Sequence, residues 1–99
     1  MIKVKMWINR DEYFFKMDGH ATGDDIVCAA CSAIAFSLLG YLVNNANDIK
    51  RVFEMNYDSG KVNIWLRGTK KIIPAFEMAY IGLAQIAKKY PDKILIKKF

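Results

Sequence analysis

The single histidine, His20, precedes the two cysteines, Cys28 and Cys31, within the stretch Asp18-Gly-His-Ala-Thr-Gly-Asp-Asp-Ile-Val-Cys-Ala-Ala-Cys-Ser-Ala-Ile-Ala35. A thiol with an imidazole beside it is the minimum equipment of a cysteine nucleophile. The stretch leaves a strand, turns at Gly19 and Gly23, and enters an apolar helix. Asp24 or Asp25 suits the N-cap, because a carboxylate there accepts bonds from the free N–H groups of the first turn. If Asp25 caps, Cys28 is the third helical residue. The positive end of the helix and the imidazole would then both favour its thiolate. Cys28 would attack a carbonyl, His20 would take and return the proton, and free N–H groups of the first turn would hold the oxyanion.

Other chemistry competes for the same residues. Cys28-Ala-Ala-Cys31 has the spacing of a thiol redox pair at a helix start. The preceding strand ends in Gly-His-Ala, however, and both prolines, Pro74 and Pro91, are explained by helix ends. A zinc site has three ligands at most from Cys28, Cys31 and His20, and no second pair closes it. From residue types alone, the simplest account is a buried cysteine in an Ala-rich helix and a surface histidine at a turn. Trp7, Tyr57 and Trp65 with Lys3, Lys5 and Arg67 suggest a stacking and phosphate surface. Against that, strand aromatics are more often packing, and lysines protect sheet edges.

The elements that must position these residues read clearly. Ile2, Val4, Met6 and Ile8 alternate with Lys3, Lys5 and Trp7, which is a half-buried strand rather than a signal peptide. A polar turn, Asn9 to Glu12, leads into a second strand over residues 13–17, with Tyr13, Phe15 and Met17 on one face. The first helix covers about 25–44 and is apolar nearly all round, so it should be covered on more than one side. Its run approaches membrane-spanning length, but Ser32, Ser37 and Gly40 interrupt it, and a buried helix is expected. Residues 51–57 and 61–67 read as a hairpin turning at Asp58-Ser59-Gly60. A second helix spans about 71–90, with Pro74 in its first turn and Pro91 as its stop. Residues 93–99 close the chain as a short strand. The order β-β-α-β-β-α-β predicts a single α+β domain, residues 1–99, with a mostly antiparallel sheet and two helices packed on it.

At 99 residues the chain makes one domain with a real core. Its 54% hydrophobic content points to a self-association surface, and its net charge of +5 to a solvated basic surface that also suits acidic partners. Two close cysteines form no disulfide framework and fit a reducing, cytoplasmic setting.

Gly19-His20-Ala21, then Asp25-Ile26-Val27-Cys28-Ala29-Ala30, then Ser32-Ala33, resembles the signature of the Prp family, ribosomal-processing cysteine proteases of low-GC Gram-positive bacteria and their relatives. The resemblance covers the chain in length and element order. It departs in a short Thr22-Gly23-Asp24 segment, too short for a large lid, and in Cys31, where the family more often has an aliphatic residue. It implies a cysteine endopeptidase that removes an N-terminal extension from a large-subunit ribosomal protein. It assigns catalytic roles to His20 and Cys28, with Gly19, Asp25 and Ser32 in support. No metal or organic cofactor is implied, and a homodimer is expected. The alternatives are the same chemistry on a phage structural protein, or a non-catalytic ribosome- or RNA-binding module.

Overall fold

A computed structural model describes residues 1–21, 23–58 and 60–98. Five strands and two helices follow in order: β1 (Ile2–Asn9), β2 (Glu12–Asp18), α1 (Asp25–Asn44), β3 (Ile49–Asp58), β4 (Lys61–Gly68), α2 (Ile73–Lys89) and β5 (Ile94–Lys98). This is the α+β order expected from the sequence. The strands form one sheet in the order β3-β4-β2-β1-β5. The hairpins make β1/β2 and β3/β4 antiparallel, and β2/β4 is antiparallel as well. Only a crossover can make a parallel pair. Helix α2 supplies it, and β5 pairs parallel with β1.

The strand alternation becomes burial. Ile2, Val4 and Met6, Tyr13, Phe15 and Met17, and Val62, Ile64 and Leu66 all lie inside. Both helices add to the same core, through Val27, Cys31, Ala35, Leu38, Leu39 and Leu42 of α1 and Phe76, Ala79 and Leu83 of α2. The opposite face of the sheet carries the other half of each strand, lysines together with Trp7, Phe14 and Trp65. Tyr13 is buried, yet its hydroxyl is satisfied by donating to the Thr69 carbonyl at 2.8 Å. Burial, helped by the nearby Asp11 charge, pushes this phenol up from its ordinary value.

Three details settle or change the sequence reading. Of the two caps left open, the structure selects Asp24, whose Oδ1 accepts from the Val27 N–H at 3.1 Å, and Cys28 is then the fourth helical residue. Helix α2 starts at Ile73, because Thr69 accepts from the Lys71 N–H and winds residues 70–72 into a tighter turn first. The third difference is in how α1 is covered. It is long and apolar enough to cross a membrane by length and composition, with a mean hydropathy of 2.2. The sheet and α2 cover part of it, but Ile26 and Val43 remain 77% and 67% exposed. One 20-residue helix presents more apolar circumference than this sheet and one neighbouring helix can hide.

Candidate active site

Strand β2 ends at Asp18, and Gly19, His20 and Ala21 lead the chain away from it. Gly19 has φ +106°, and a Cβ there would overlap the Met1 carbonyl oxygen. The position therefore requires glycine twice, for its backbone angle and for the close approach of the Met1 backbone just before β1. Its N–H donates to the Gly60 carbonyl at 2.8 Å. That bond extends the β2/β4 pairing, whose register sets Asp18 opposite Lys61. The pairing thus carries the β3–β4 turn up against the Gly19–Ala21 segment.

His20 is exposed, and its imidazole lies on Gly60. A Cβ at Gly60 would overlap Nε2 and Cε1 of the ring. Sequence reasoning assigned Gly60 to turn geometry alone, and its φ of +70° bears that out. The second demand, a flat seat for the imidazole, comes from a distant hairpin and leaves no local signal.

Cys28 is half-buried and faces the same segment from α1. Its Sγ accepts from the Ala21 N–H at 3.2 Å, and its thiol reaches the Ala21 carbonyl oxygen at 3.7 Å. The sulfur is thus held by one residue's backbone, on the segment that also carries His20. Among the described residues, no hydrogen bond joins Sγ to His20. A cleft of about 480 Å3 opens beside them, and Gly19, His20, Cys28 and Ser32 all line it. The structure therefore gathers four of the five residues singled out from sequence. Asp25 is the exception. It is exposed in the first turn of α1, and the capping role left open between the two aspartates belongs to Asp24.

The cap narrows the expected oxyanion donors. The Val27 N–H is taken by the Asp24 carboxylate, and the Cys28 N–H makes the first helical bond, to the Asp24 carbonyl at 3.3 Å. A further N–H at the sulfur comes from Ala21.

Phe36 and Tyr57 form a wall of the cleft, meeting edge to face at 5.4 Å and 84°. Neither was expected there. Tyr57 had been grouped with Trp7 and Trp65, but its register partner Val62 is buried, so it stands on the helix side of the sheet. Ser59 and Thr22, in the expected turn and short segment, lie outside the described residues, as does Phe99.

Cys31 is fully buried, one turn below Cys28. Burial, then the proximity of Cys28, raises its thiol from 9.0 to about 11. A buried thiol that keeps its proton is a core residue, not half of a redox pair. Its effect on stability has a definite sign. The unfolded chain releases this proton near pH 9 and the folded one only near pH 11, so the contribution is complete below about 9 and lost as pH rises through about 11. Thermal melts between these pH values should therefore fall more steeply for the wild type than for Cys31→Ala. Iodoacetamide should label Cys31 only as fast as the protein unfolds. Among the described residues, no group of three His, Cys, Asp or Glu side chains comes together as a set of metal donors.

Comparisons with known proteins identify the family and the fold. The family described as cysteine protease Prp matches residues 1–95. No curated protein sequence matches. Two S. aureus crystal structures described as an essential ribosomal processing protease Prp share the fold, one in complex with a covalently linked product peptide and one with a substrate peptide. They match at 26% and 25% identity with TM-scores of 0.76 and 0.78, and each comparison covers 100% of both chains. The crystal structure of SMU.848 from Streptococcus mutans shows the same fold, with TM-score 0.74 at 22% identity, covering 100% of this chain and 94% of that one. With the family matched along nearly its whole length, the chain belongs to the Prp family of cysteine proteases and is itself a cysteine peptidase.

Proposed function

We propose that the chain is an endopeptidase that removes an N-terminal extension from a large-subunit ribosomal protein, with Cys28 as nucleophile and His20 as its base and acid. The observation that carries this reading is the half-buried Cys28 sulfur at the start of α1, opening on a cleft that the imidazole also lines. The two S. aureus relatives, described as ribosomal processing proteases with bound peptides, support the substrate.

His20 takes the Cys28 thiol proton, and Sγ bonds to the scissile carbonyl carbon. The oxyanion that forms meets the Ala21 N–H, already 3.2 Å from the sulfur. The C–N bond breaks, the leaving amine takes the proton from His20, and water then hydrolyses the thioester with His20 as base. Gly19 fixes the segment that carries the imidazole. Asp25 supports the helix start, where a carboxylate complements the dipole, and Ser32 lines the cleft one turn beyond Cys28. The reaction needs neither metal nor organic cofactor.

The protein works in the cytoplasm, where the nucleophile stays reduced, and as a homodimer. The exposed apolar side chains of the helices, Val43, Met78 and Ile81 among them, support self-association, and sedimentation equilibrium tests it.

The substrate is tested with a peptide spanning the junction between extension and mature ribosomal protein, a scrambled peptide, and a peptide from a phage structural protein. Mass spectrometry should find one cut at the junction of the first, none in the second, and complete loss after iodoacetamide. Cleavage of the phage peptide alone would reassign the substrate within the same chemistry.

A further inference from the structure

The face of the sheet that the helices leave open is organised by register. Directly paired residues share a face, so the pairings sort its side chains into rows. One row runs Lys97, Lys5, Lys16, Asn63, Asn56 across all five strands. The next runs Trp7, Phe14, Trp65, Glu54. Beyond it lie Glu12, Arg67 and Arg51.

The lysine row is costly to the fold, because like charges in direct cross-strand pairs repel. Edge protection does not explain it, since Lys5 and Lys16 stand on the interior strands β1 and β2. No carboxylate stands in this row, whereas the neighbouring Lys3, Asp18 and Lys61 alternate in sign.

The aromatic row is partly open to solvent. Trp7 and Phe14 stack at 5.3 Å with 3° between their planes, and Trp65 lies 4.8 Å from Phe53 of the edge strand. Trp65 and Phe53 are 38% and 36% exposed. The Arg51 and Arg67 guanidinium groups lie 5.1 and 5.8 Å from the centre of the Phe53 ring. Two carboxylates reach the row. Glu12 accepts from Trp65 Nε1 at 3.1 Å and pairs with Arg67 at 3.7 Å, and Glu54 accepts from Asn56 at 3.4 Å. A hollow of about 140 Å3 opens beside Phe14, Lys16 and Trp65.

We propose that this open face binds single-stranded nucleic acid, with Lys97, Lys5 and Lys16 on the phosphates and the Trp7–Phe14–Trp65–Phe53 row stacking the bases. A single strand offers repeated anionic groups and planar faces together, which matches both rows. An acidic peptide would use the lysines and leave the aromatic row without a partner. The face lies across the sheet from the Cys28 cleft, so binding and hydrolysis are separable.

The test titrates the whole protein with a mixed-sequence single-stranded RNA of about 12 nucleotides and follows the fluorescence of its two tryptophans, Trp7 and Trp65. Saturable, salt-sensitive quenching is expected. The triple variant Lys5→Gln, Lys16→Gln, Lys97→Gln should bind at least about tenfold more weakly, with the log–log salt slope reduced by about two, near 0.7 for each lost phosphate contact. Its melting temperature should not fall, because the repulsion is relieved, and its peptide hydrolysis should be unchanged. Absence of saturable quenching at low salt would overturn the proposal. So would wild-type affinity in the triple variant. Displacement of the RNA by polyglutamate at equal charge would assign the face to an acidic protein instead.

Discussion

Cys28→Ala is expected to abolish peptide hydrolysis, by a factor of about 10³ or more, because no covalent step remains once the nucleophile is gone. His20→Ala should cost about 10² to 10⁴, the range of a lost general acid and base. Neither change should endanger the fold. The Cys28 sulfur is half-buried and both its hydrogen bonds are to the Ala21 backbone, so its loss, which leaves the Ala21 N–H unpaired, costs about 1–3 kcal/mol. The imidazole is exposed and rests on glycine. Cys31→Ala is the matched control: it removes a core thiol, lowers stability by about 1–2 kcal/mol, and leaves cleavage of the peptide in place. Initial rates on one peptide substrate, with melting temperatures for each variant, decide the matter. If Cys28→Ala still cleaves, the nucleophile lies elsewhere. If Cys31→Ala abolishes activity while folded, the two cysteines act as a pair.

The two glycines of the site should respond in opposite ways. Gly19→Ala is expected to cost about 3 kcal/mol or more, because φ +106° is closed to alanine and the new Cβ meets backbone atoms of Met1 that cannot step aside. Chemical denaturation should show the loss directly. Gly60 has φ +70°, a left-handed angle that asparagine tolerates, and its obstacle is the mobile imidazole of His20. Gly60→Asn should therefore keep most of its stability while hydrolysis falls with the displaced base. Equal loss of stability in both variants would mean that Gly60 serves only the turn.

Much of this architecture was legible in the chain itself. Period-two alternation in Ile2–Ile8, Tyr13–Met17 and Val62–Leu66 marks strands with one inward face, and the structure buries that face, with Ile8 partly covered. The span of α1, the turn at Gly60 and the approach of His20 to the Cys28 segment follow from local signals: a cap, an apolar run and glycines at turns. Local rules reach these features because they depend on neighbours within a few residues. The family signature lies in the same short stretch and needs no tertiary contact to be seen.

What the tertiary structure decided lies between segments far apart in sequence. Pairing of β2 with β4 brings Gly60 beneath the His20 ring and Tyr57 into the cleft beside Phe36. The choice of Asp24 over Asp25 as cap depends on backbone direction after Gly23, and it fixes which N–H groups are consumed. The hairpin pairs Lys5 with Lys16, but the row of lysines on the open face is completed only because β5 returns parallel to β1 and places Lys97 beside Lys5. Each strand by itself determines which side chains share a face; only the register between strands determines which of them meet.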